Sequence, residues 1–379
     1  MLSKAEKERY SRHLILNGFG EEAQLKLRQA KVLVIGAGGL GCPVLTYLTA
    51  AGVGKIGIVD HDIVSLSNLQ RQTLYNQEDI GKSKAFVTKD KLLKQNPHVD
   101  ITVFDVAFTS KNAERIVSEF DIVIDGTDNF PTRYLINDVC VLQDKVNVHG
   151  SINEFSGQVA VFNAKLGNER SANYRDLYPV PPNPNEVKNC SEAGVIGVLP
   201  GIVGNFQALE TIKIITDIGE PLINKVLFYN ALSQEMQTFN FEKDDQNPLT
   251  GKNPTQSKLI DYEEFCGVQK TNKKMKSINV QELKEMMDNK DNYTLIDVRE
   301  PFEYEAANLG GELIPMNTVP DNHEKFKKEG KVIVQCRSGA RSANVVSFLE
   351  QNYGYENLYN LDGGIMAWAR IIDMNMKIG

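Results

Sequence analysis

Residues 31–60 read KVLVIGAGGLGCPVLTYLTAAGVGKIGIVD, and this stretch decides the fold. Lys31–Ile35 is a short apolar run rich in β-branched residues, as a buried strand requires. Gly36, Gly38 and Gly41, with Gly39 between them, form a G-x-G-x-x-G turn, and Pro43 sits in a first helical turn, where its missing N–H is harmless. Such a unit aims free backbone N–H groups and the positive end of a helix dipole at one spot, where a phosphate fits. The second strand ends in Asp60, about 20 residues past the glycines, the place of a ribose-hydroxyl acceptor.

Outward from this unit, Ser67, Asn68, Leu69, Gln70, Arg71 and Gln72 belong to a polar stretch without regular period. Lys84 lies on the next helix, and Asp128 and Asn129 follow a strand that ends at Asp125. Further strands at Ile101–Phe104, Val146–His149, Gly157–Phe162, Val226–Tyr229 and Met236–Phe241 alternate at first with helices, which predicts a mostly parallel sheet wrapped by helices. A glycine turn alone fits a dinucleotide oxidoreductase equally well. Hydride transfer, however, has no need of Arg71, Lys84 and Asp128. Nucleotidyl transfer from ATP does: two cations stabilise charge developing on the α-phosphate and the leaving pyrophosphate, and an acid holds Mg2+.

A chain of 379 residues suits two domains. With 41% apolar and 24% charged residues and a net charge of -7, the composition is that of a soluble globular protein without the basic surface that nucleic acid or an anionic membrane demands. No apolar run approaches the length of a bilayer span, and MLSKAEKERYSRH does not read as a signal peptide, so a cytoplasmic protein is expected. The five cysteines, Cys42, Cys140, Cys190, Cys266 and Cys336, are odd in number and scattered, as free thiols would be. Cys42 and Cys140 sit in apolar helices as packing residues, and Cys266 has no evident role. The polar stretch from Glu242 to Ser277 reads as a linker, giving a first domain at 1–243, a linker at 244–276 and a second domain at 277–379.

In the second domain Cys336, Arg337, Ser338, Gly339, Ala340 and Arg341 lie between an apolar strand and a helix. Inward-pointing N–H groups, a helix N-terminus and two arginines favour an anionic sulfur there. The C-x4-R spacing is one residue tighter than the C-x5-R of a tyrosine phosphatase, leaving less room for a tetrahedral phosphate.

Over roughly Arg9–Phe241 the motifs RYSRHLIL, GAGGLG, DxDxVSLSNLQRQ, GKSKA, DGTDN and CSEAGV appear in order, and the sequence resembles the MoeB/ThiF family of ubiquitin-activating-type adenylyltransferases. Together with LIDVREPFEYE and LDGGIMAW, the Cys336 loop resembles a rhodanese, a sulfurtransferase domain, although the usual H-I-x-G-A phrase reads Asn308, Leu309, Gly310, Gly311. The expected fold is thus α/β: a Rossmann-like ThiF/MoeB nucleotide-binding domain followed by a smaller α/β rhodanese domain. The resemblance implies that Gly36, Gly38, Gly39, Gly41, Asp60, Ser67–Arg71, Lys84, Asp128 and Asn129 contact ATP or its Mg2+. It also implies that Arg12 reaches into a neighbouring subunit's site, making a homodimer.

By the same resemblance, the enzyme adenylates the C-terminal glycine of a small ubiquitin-like sulfur carrier ending in Gly-Gly. Cys336, loaded as a persulfide from thiosulfate or a cysteine desulfurase, then delivers sulfur to give a thiocarboxylate. Cys190 aligns with a cysteine that in some relatives links to the carrier and in others is a bystander. An activating enzyme passing the carrier on through a Cys190 thioester, and a scaffold without turnover, are the rival readings. The resemblance does not choose between molybdopterin, thiamin, thiolated tRNA and other sulfur pathways. Most relatives hold a structural zinc on two C-x-x-C pairs, whereas this chain has Asn173 to Asp176 and Asn247 to Thr250 at those places, so no zinc is expected. The long Pro-rich loop at 173–193 then loses its anchor unless polar contacts replace it.

Overall fold

The computed structural model describes residues 1–182, 194–267, 275–376 and 378. The chain divides into two compact units, Met1–Gln269 and Lys270–Gly379.

The first unit is built on an eight-stranded sheet. Its strands are β1 (Lys31–Ile35), β2 (Lys55–Val59), β3 (Asp100–Phe104), β4 (Ile122–Asp125), β5 (Val146–Asn153), β6 (Ser156–Phe162), β9 (Lys225–Asn230) and β10 (Glu235–Asn240). A separate ribbon, β7 (Lys165–Leu166) with β8 (Glu169–Arg170), lies outside it. The order is β10-β9-β6-β5-β4-β1-β2-β3, parallel from β3 to β5 and antiparallel from β5 to β10. Alternation along β1 explains its wholly apolar sequence. Val32 and Val34 join the core on one face, while Leu33 and Ile35 join the core on the other. Burial on both faces is what helices wrapped around a parallel sheet require. Each such side chain contributes roughly 1.5–3 kcal/mol from burial.

The chain leaves β1 for β2 on one side and later returns to β4 on the other. This reversal opens a crevice at the carboxyl ends of β1 and β4, where open α/β sheets bind ligands. Gly36 has φ +94°, and a Cβ there would lie 2.7 Å from the Gly126 carbonyl oxygen at the end of β4. Gly41 opens the helix Gly41–Ala51 so close to the turn that a Cβ would lie 1.9 Å from the Gly36 oxygen. Only glycine is tolerated where two backbones approach so closely.

The expected linker is corrected over most of its length, because residues 244–267 belong to the first unit. Tyr262 is buried and donates its hydroxyl proton to Asp138 at 2.8 Å, Gln256 donates to the same carboxylate oxygen at 2.8 Å, and Cys266 is buried beside them. Asp138 in turn forms a bidentate pair with the buried Arg175 at 2.8 and 2.7 Å. A polar composition here signals a buried hydrogen-bonded clasp, which looks like a linker when only apolar residues are counted.

The second unit is a parallel sheet of β11 (Ser277–Ile278), β12 (Tyr293–Asp297), β13 (Glu312–Leu313), β14 (Lys331–Gln335) and β15 (Leu358–Leu361), in the order β11-β15-β14-β12-β13. Val332 and Val334 face one core and Ile333 the other, so β14 is buried on both sides and carries Cys336 out at its end.

Candidate functional site

A cavity of about 350 Å³ opens over the glycine turn. Gly36, Gly38, Gly39 and Asp60 line it with Arg71, Gln72, Lys84, Asp128 and Asn129, residues from five separate segments of the chain. Asp60 is buried. Its carboxylate accepts the Ala37 N–H at 2.7 Å and the Asp62 N–H at 2.8 Å, so it braces the turn as well as facing the cavity. Burial pushes its pKa up, against the charge of Lys84 and those two N–H bonds. Tyr75 fastens the turn from behind by donating to the Ala37 carbonyl at 2.8 Å.

The stretch Ser67–Gln70 builds the neighbourhood without lining the cavity. Asn68 accepts the Ser65 N–H, Ser67 pairs with the Ser65 hydroxyl, Leu69 packs on the cluster around Val64 and Tyr75, and Gln70 lies against Gly197. Arg71 alone of the predicted Ser67–Arg71 loop lines the cavity, with a guanidinium N–H donated to the Ser67 carbonyl at 3.2 Å. Lys84 is almost wholly buried and its ammonium is 2.9 Å from Asp62, a partner the sequence reading missed although it stands two residues after Asp60. Asn129 caps the helix Phe130–Leu142 by accepting the Thr132 N–H at 3.0 Å. Asp128 is exposed and has no protein partner among the described residues, so its carboxylate oxygens are free for a cation. Arg12 is exposed on the short helix Ser11–Leu14 and is not among the residues lining this cavity. Cys42 and Cys140 are buried packing residues, and burial pushes the Cys42 thiol up to about 12. Cys190 lies outside the described residues.

A second cavity of about 410 Å³ shares Asp128 and Ile152 with the first. Its walls are aromatic, with Phe130, Tyr134, Tyr174, Tyr178 and Phe228, and the buried Arg133 lines it with its Nε unpartnered.

The residues at the expected zinc positions do not suit that metal. Asp176 spends both oxygens on protein donors, accepting the Asn173 N–H at 2.6 Å, the Asp244 N–H at 2.9 Å and the Asn247 amide at 2.7 Å. Asn173 donates to the Thr250 hydroxyl at 3.1 Å, and Asn247 accepts the N–H groups of Leu249 and Thr250. Amide and hydroxyl groups tied together in this way offer none of the thiolates or imidazoles that structural zinc takes. Polar contacts thus tie the start of the long loop, where the loss of an anchor was expected.

In the second unit Cys336 is buried at the mouth of the loop that opens the helix Ala340–Tyr353. Gly339, at φ +93°, turns its N–H to the sulfur at 3.1 Å, and the Ser342 hydroxyl lies 3.3 Å from the same atom. Ser342 is itself held by Asn360 at 2.6 Å. Arg341 is gripped by Glu303 through two 2.7 Å bonds. Burial raises the pKa of Glu303, but the Arg341 bonds, the Glu300 N–H and nearby positive charge outweigh it and hold the carboxyl below its usual range. Asp297 and Arg299 form a buried ion pair at 2.6 Å, and Arg299 also donates to the carbonyls of Glu303 and Ala307, so this pair ties the segment after β12. Glu303 and Asn360 escaped sequence reading, since only the fold brings them to the sulfur loop, and Ser342, next to Arg341 in sequence, carries no signal of its own until its hydroxyl is seen beside the sulfur.

A nucleotide crevice on one unit and a loop cradling a cysteine sulfur on the other define a two-part enzyme class. The chain belongs to the ThiF family, whose model matches residues 10–250, and a rhodanese-like domain model matches residues 279–371. It is 40% identical over 99% of its length, and 96% of the relative's, to a probable adenylyltransferase/sulfurtransferase, MoeZ, of Mycobacterium tuberculosis. It is 48% identical over 70% of its length to the sulfur carrier protein adenylyltransferase of Thermus thermophilus, covering 98% of that protein. Among solved structures, E. coli MccB with AMPCPP and MccA aligns with a TM-score of 0.57 at 25% identity, over 64% of this chain and 74% of that one. No helix among the described residues is long and apolar enough to cross a membrane.

Proposed function

We propose that this enzyme adenylates the C-terminal glycine of a small ubiquitin-like sulfur carrier ending in Gly-Gly and then converts that carboxylate to a thiocarboxylate. The observation that carries the reading is the cavity in which Arg71, Lys84 and Asp128, which has no partner among the described residues, meet over the glycine turn. The names borne by the Mycobacterium and Thermus relatives support it.

A carrier carboxylate oxygen attacks the α-phosphorus of ATP, the bond to the β-phosphate oxygen breaks, and pyrophosphate leaves. Backbone N–H groups of the turn, Arg71 and Lys84 stabilise the charge that grows on the phosphates; no protein nucleophile is needed. Lys84 leaves Asp62 for phosphate in doing so. Asp128 would hold Mg2+, which neutralises triphosphate charge when bound. The aromatic cavity next to Asp128 receives the carrier's extended tail.

On the second unit, the Cys336 thiolate attacks the sulfane sulfur of thiosulfate, expelling sulfite, or of a cysteine desulfurase persulfide, expelling that enzyme's cysteine thiolate, and the Gly339 N–H faces the Cys336 sulfur that carries it. The terminal persulfide sulfur attacks the acyl-adenylate carbon and AMP leaves. A second thiol, with Cys190 the candidate, then attacks the Cys336 sulfur. That step releases the thiocarboxylate and leaves a disulfide, which an external thiol reduces. Arg12 supplying a partner subunit's site in a cytoplasmic homodimer, and folding without zinc, complete the proposal.

The test mixes enzyme, ATP, Mg2+, thiosulfate and a Gly-Gly-ending carrier, and weighs the carrier. Replacement of one oxygen by sulfur is expected. No sulfur gained with the wild type, or an equal gain with Cys336→Ala, would refute the reading. A carrier bound to the enzyme through a thiol-cleavable thioester would instead support conjugation through Cys190.

A further inference from the structure

Asp128 has no partner of its own among the described residues, so the backbone turn from Gly126 to Asn129 alone decides where its carboxylate stands. The Gly126 N–H of that turn is tied to the Ile35 carbonyl at 2.9 Å and its Thr127 carbonyl accepts from Arg133 at 3.3 Å, while the N–H and hydroxyl of Thr127 rest on Asp125, the last residue of β4. One Asp125 oxygen, Oδ1, accepts both the N–H of Thr127 at 3.0 Å and its hydroxyl at 2.6 Å. The other, Oδ2, lies 2.9 Å from Nδ1 of His149. His149 is the neighbour of Asp125 across the parallel β4–β5 pair, and both residues are only 1% exposed.

Burial alone would push Asp125 up, but the hydrogen bond from His149, the positive charge of Arg133 and the Thr127 hydroxyl hold it below its usual range. Burial likewise keeps His149 low, against the pull of Asp125. The pair is therefore a carboxylate facing a neutral imidazole that donates from Nδ1. Nε2 is then a bare acceptor, and it has no partner among the described residues. A buried unpaired acceptor is unfavourable, a penalty that phenylalanine would avoid. Apolar packing alone does not explain a histidine at this position. What the imidazole adds is its N–H.

We infer that His149 is a positioning residue for adenylyl transfer: by holding Oδ2 of Asp125 it fixes Oδ1 beneath Thr127, and so sets Asp128 at the junction of the two cavities. Without that donor the buried carboxylate is free to rotate about its Cβ–Cγ bond, and Thr127 loses a fixed acceptor. The imidazole packs against the rings of Phe162 and Tyr174, at 5.6 and 5.2 Å between centroids, and those two rings meet each other at 5.8 Å. Tyr174 is part of the aromatic cavity wall, so a tail seated there presses on the ring that steadies Asp128. The inference rests on the adenylation reading and names a residue that touches neither substrate.

The experiment compares wild type, His149→Phe and His149→Asn in ATP–pyrophosphate exchange, using a purified ubiquitin-like protein ending in Gly-Gly, with melting temperatures recorded for each. Asn presents an amide N–H near the place of Nδ1, whereas Phe keeps the ring and loses the donor. Expected are a fall in kcat of about tenfold to a hundredfold for Phe with little change in the KM for ATP, and recovery to within about threefold of wild type for Asn. A folded Phe variant with wild-type kcat, or Phe and Asn variants equally impaired, would overturn the inference. If the wild type itself gives no exchange, the adenylation reading falls, and amide hydrogen exchange at Thr127 and Asp128 still decides the positioning. Faster exchange in the Phe variant only supports it, and equal rates in all three proteins overturn it.

Discussion

The glycine turn after β1 and the cysteine loop after β14 share one construction, a parallel strand feeding a helix through a tight loop, yet they place charge differently. The first loop, Gly36–Gly41, carries no charged side chain, and its cations arrive from Arg71 and Lys84, far along the chain. The second, Cys336–Arg341, carries Arg337 and Arg341 within itself, and Glu303 pins one of them. The reactions proposed for the two loops account for the contrast. A polyphosphate must enter, react and leave, so its cations sit on separate elements and one rests on an internal acid, Asp62. A sulfur carried covalently on Cys336 never leaves as a free ligand, so its cradle can be compact and permanently charged.

The comparison breaks most sharply at the two reacting centres. Cys336→Ala is expected to abolish sulfur delivery to the carrier while leaving ATP–pyrophosphate exchange intact; loss of both would mean that the loops are not separate machines. Lys84→Ala should lower exchange by about 10²–10³-fold, the range for removing a group that stabilises transition-state charge, and leave thiosulfate–cyanide sulfur transfer unchanged. Next in size is Gly36→Ala. Its positive φ and the 2.7 Å approach to Gly126 predict about 1–3 kcal/mol of lost stability in denaturant melts of the first unit, with the cysteine loop's unit unaffected. The smallest effect concerns Glu303. Its pKa is lowered on folding from 4.5, so the stability it lends is present above that value and is lost as pH falls through the folded pKa. A melt series down to acid pH should show this loss in the wild type and a flatter profile in Glu303→Gln.

The features legible in the sequence are those imposed by local backbone demands. Gly36 and Gly41 stand where no Cβ fits, and Cys336 and Gly339 stand where a loop must turn N–H groups to a sulfur. Residues paired across long stretches of chain gave no such signal. Tyr262 finds Asp138 from 124 positions away, which is why a packed segment reads as a linker. His149 and Asp125 meet only through strand register, and Ser67–Gln70 carry a family motif while serving as the frame that presents Arg71.

The four side chains Asn173, Asp176, Asn247 and Thr250 close the near end of the long loop onto residues some seventy positions later. Nothing in that fastening can be oxidised to a disulfide, and nothing in it waits for an ion to be delivered. A joint made of thiolates answers to peroxide and to the supply of metal, whereas amide, carboxylate and hydroxyl groups have neither chemistry.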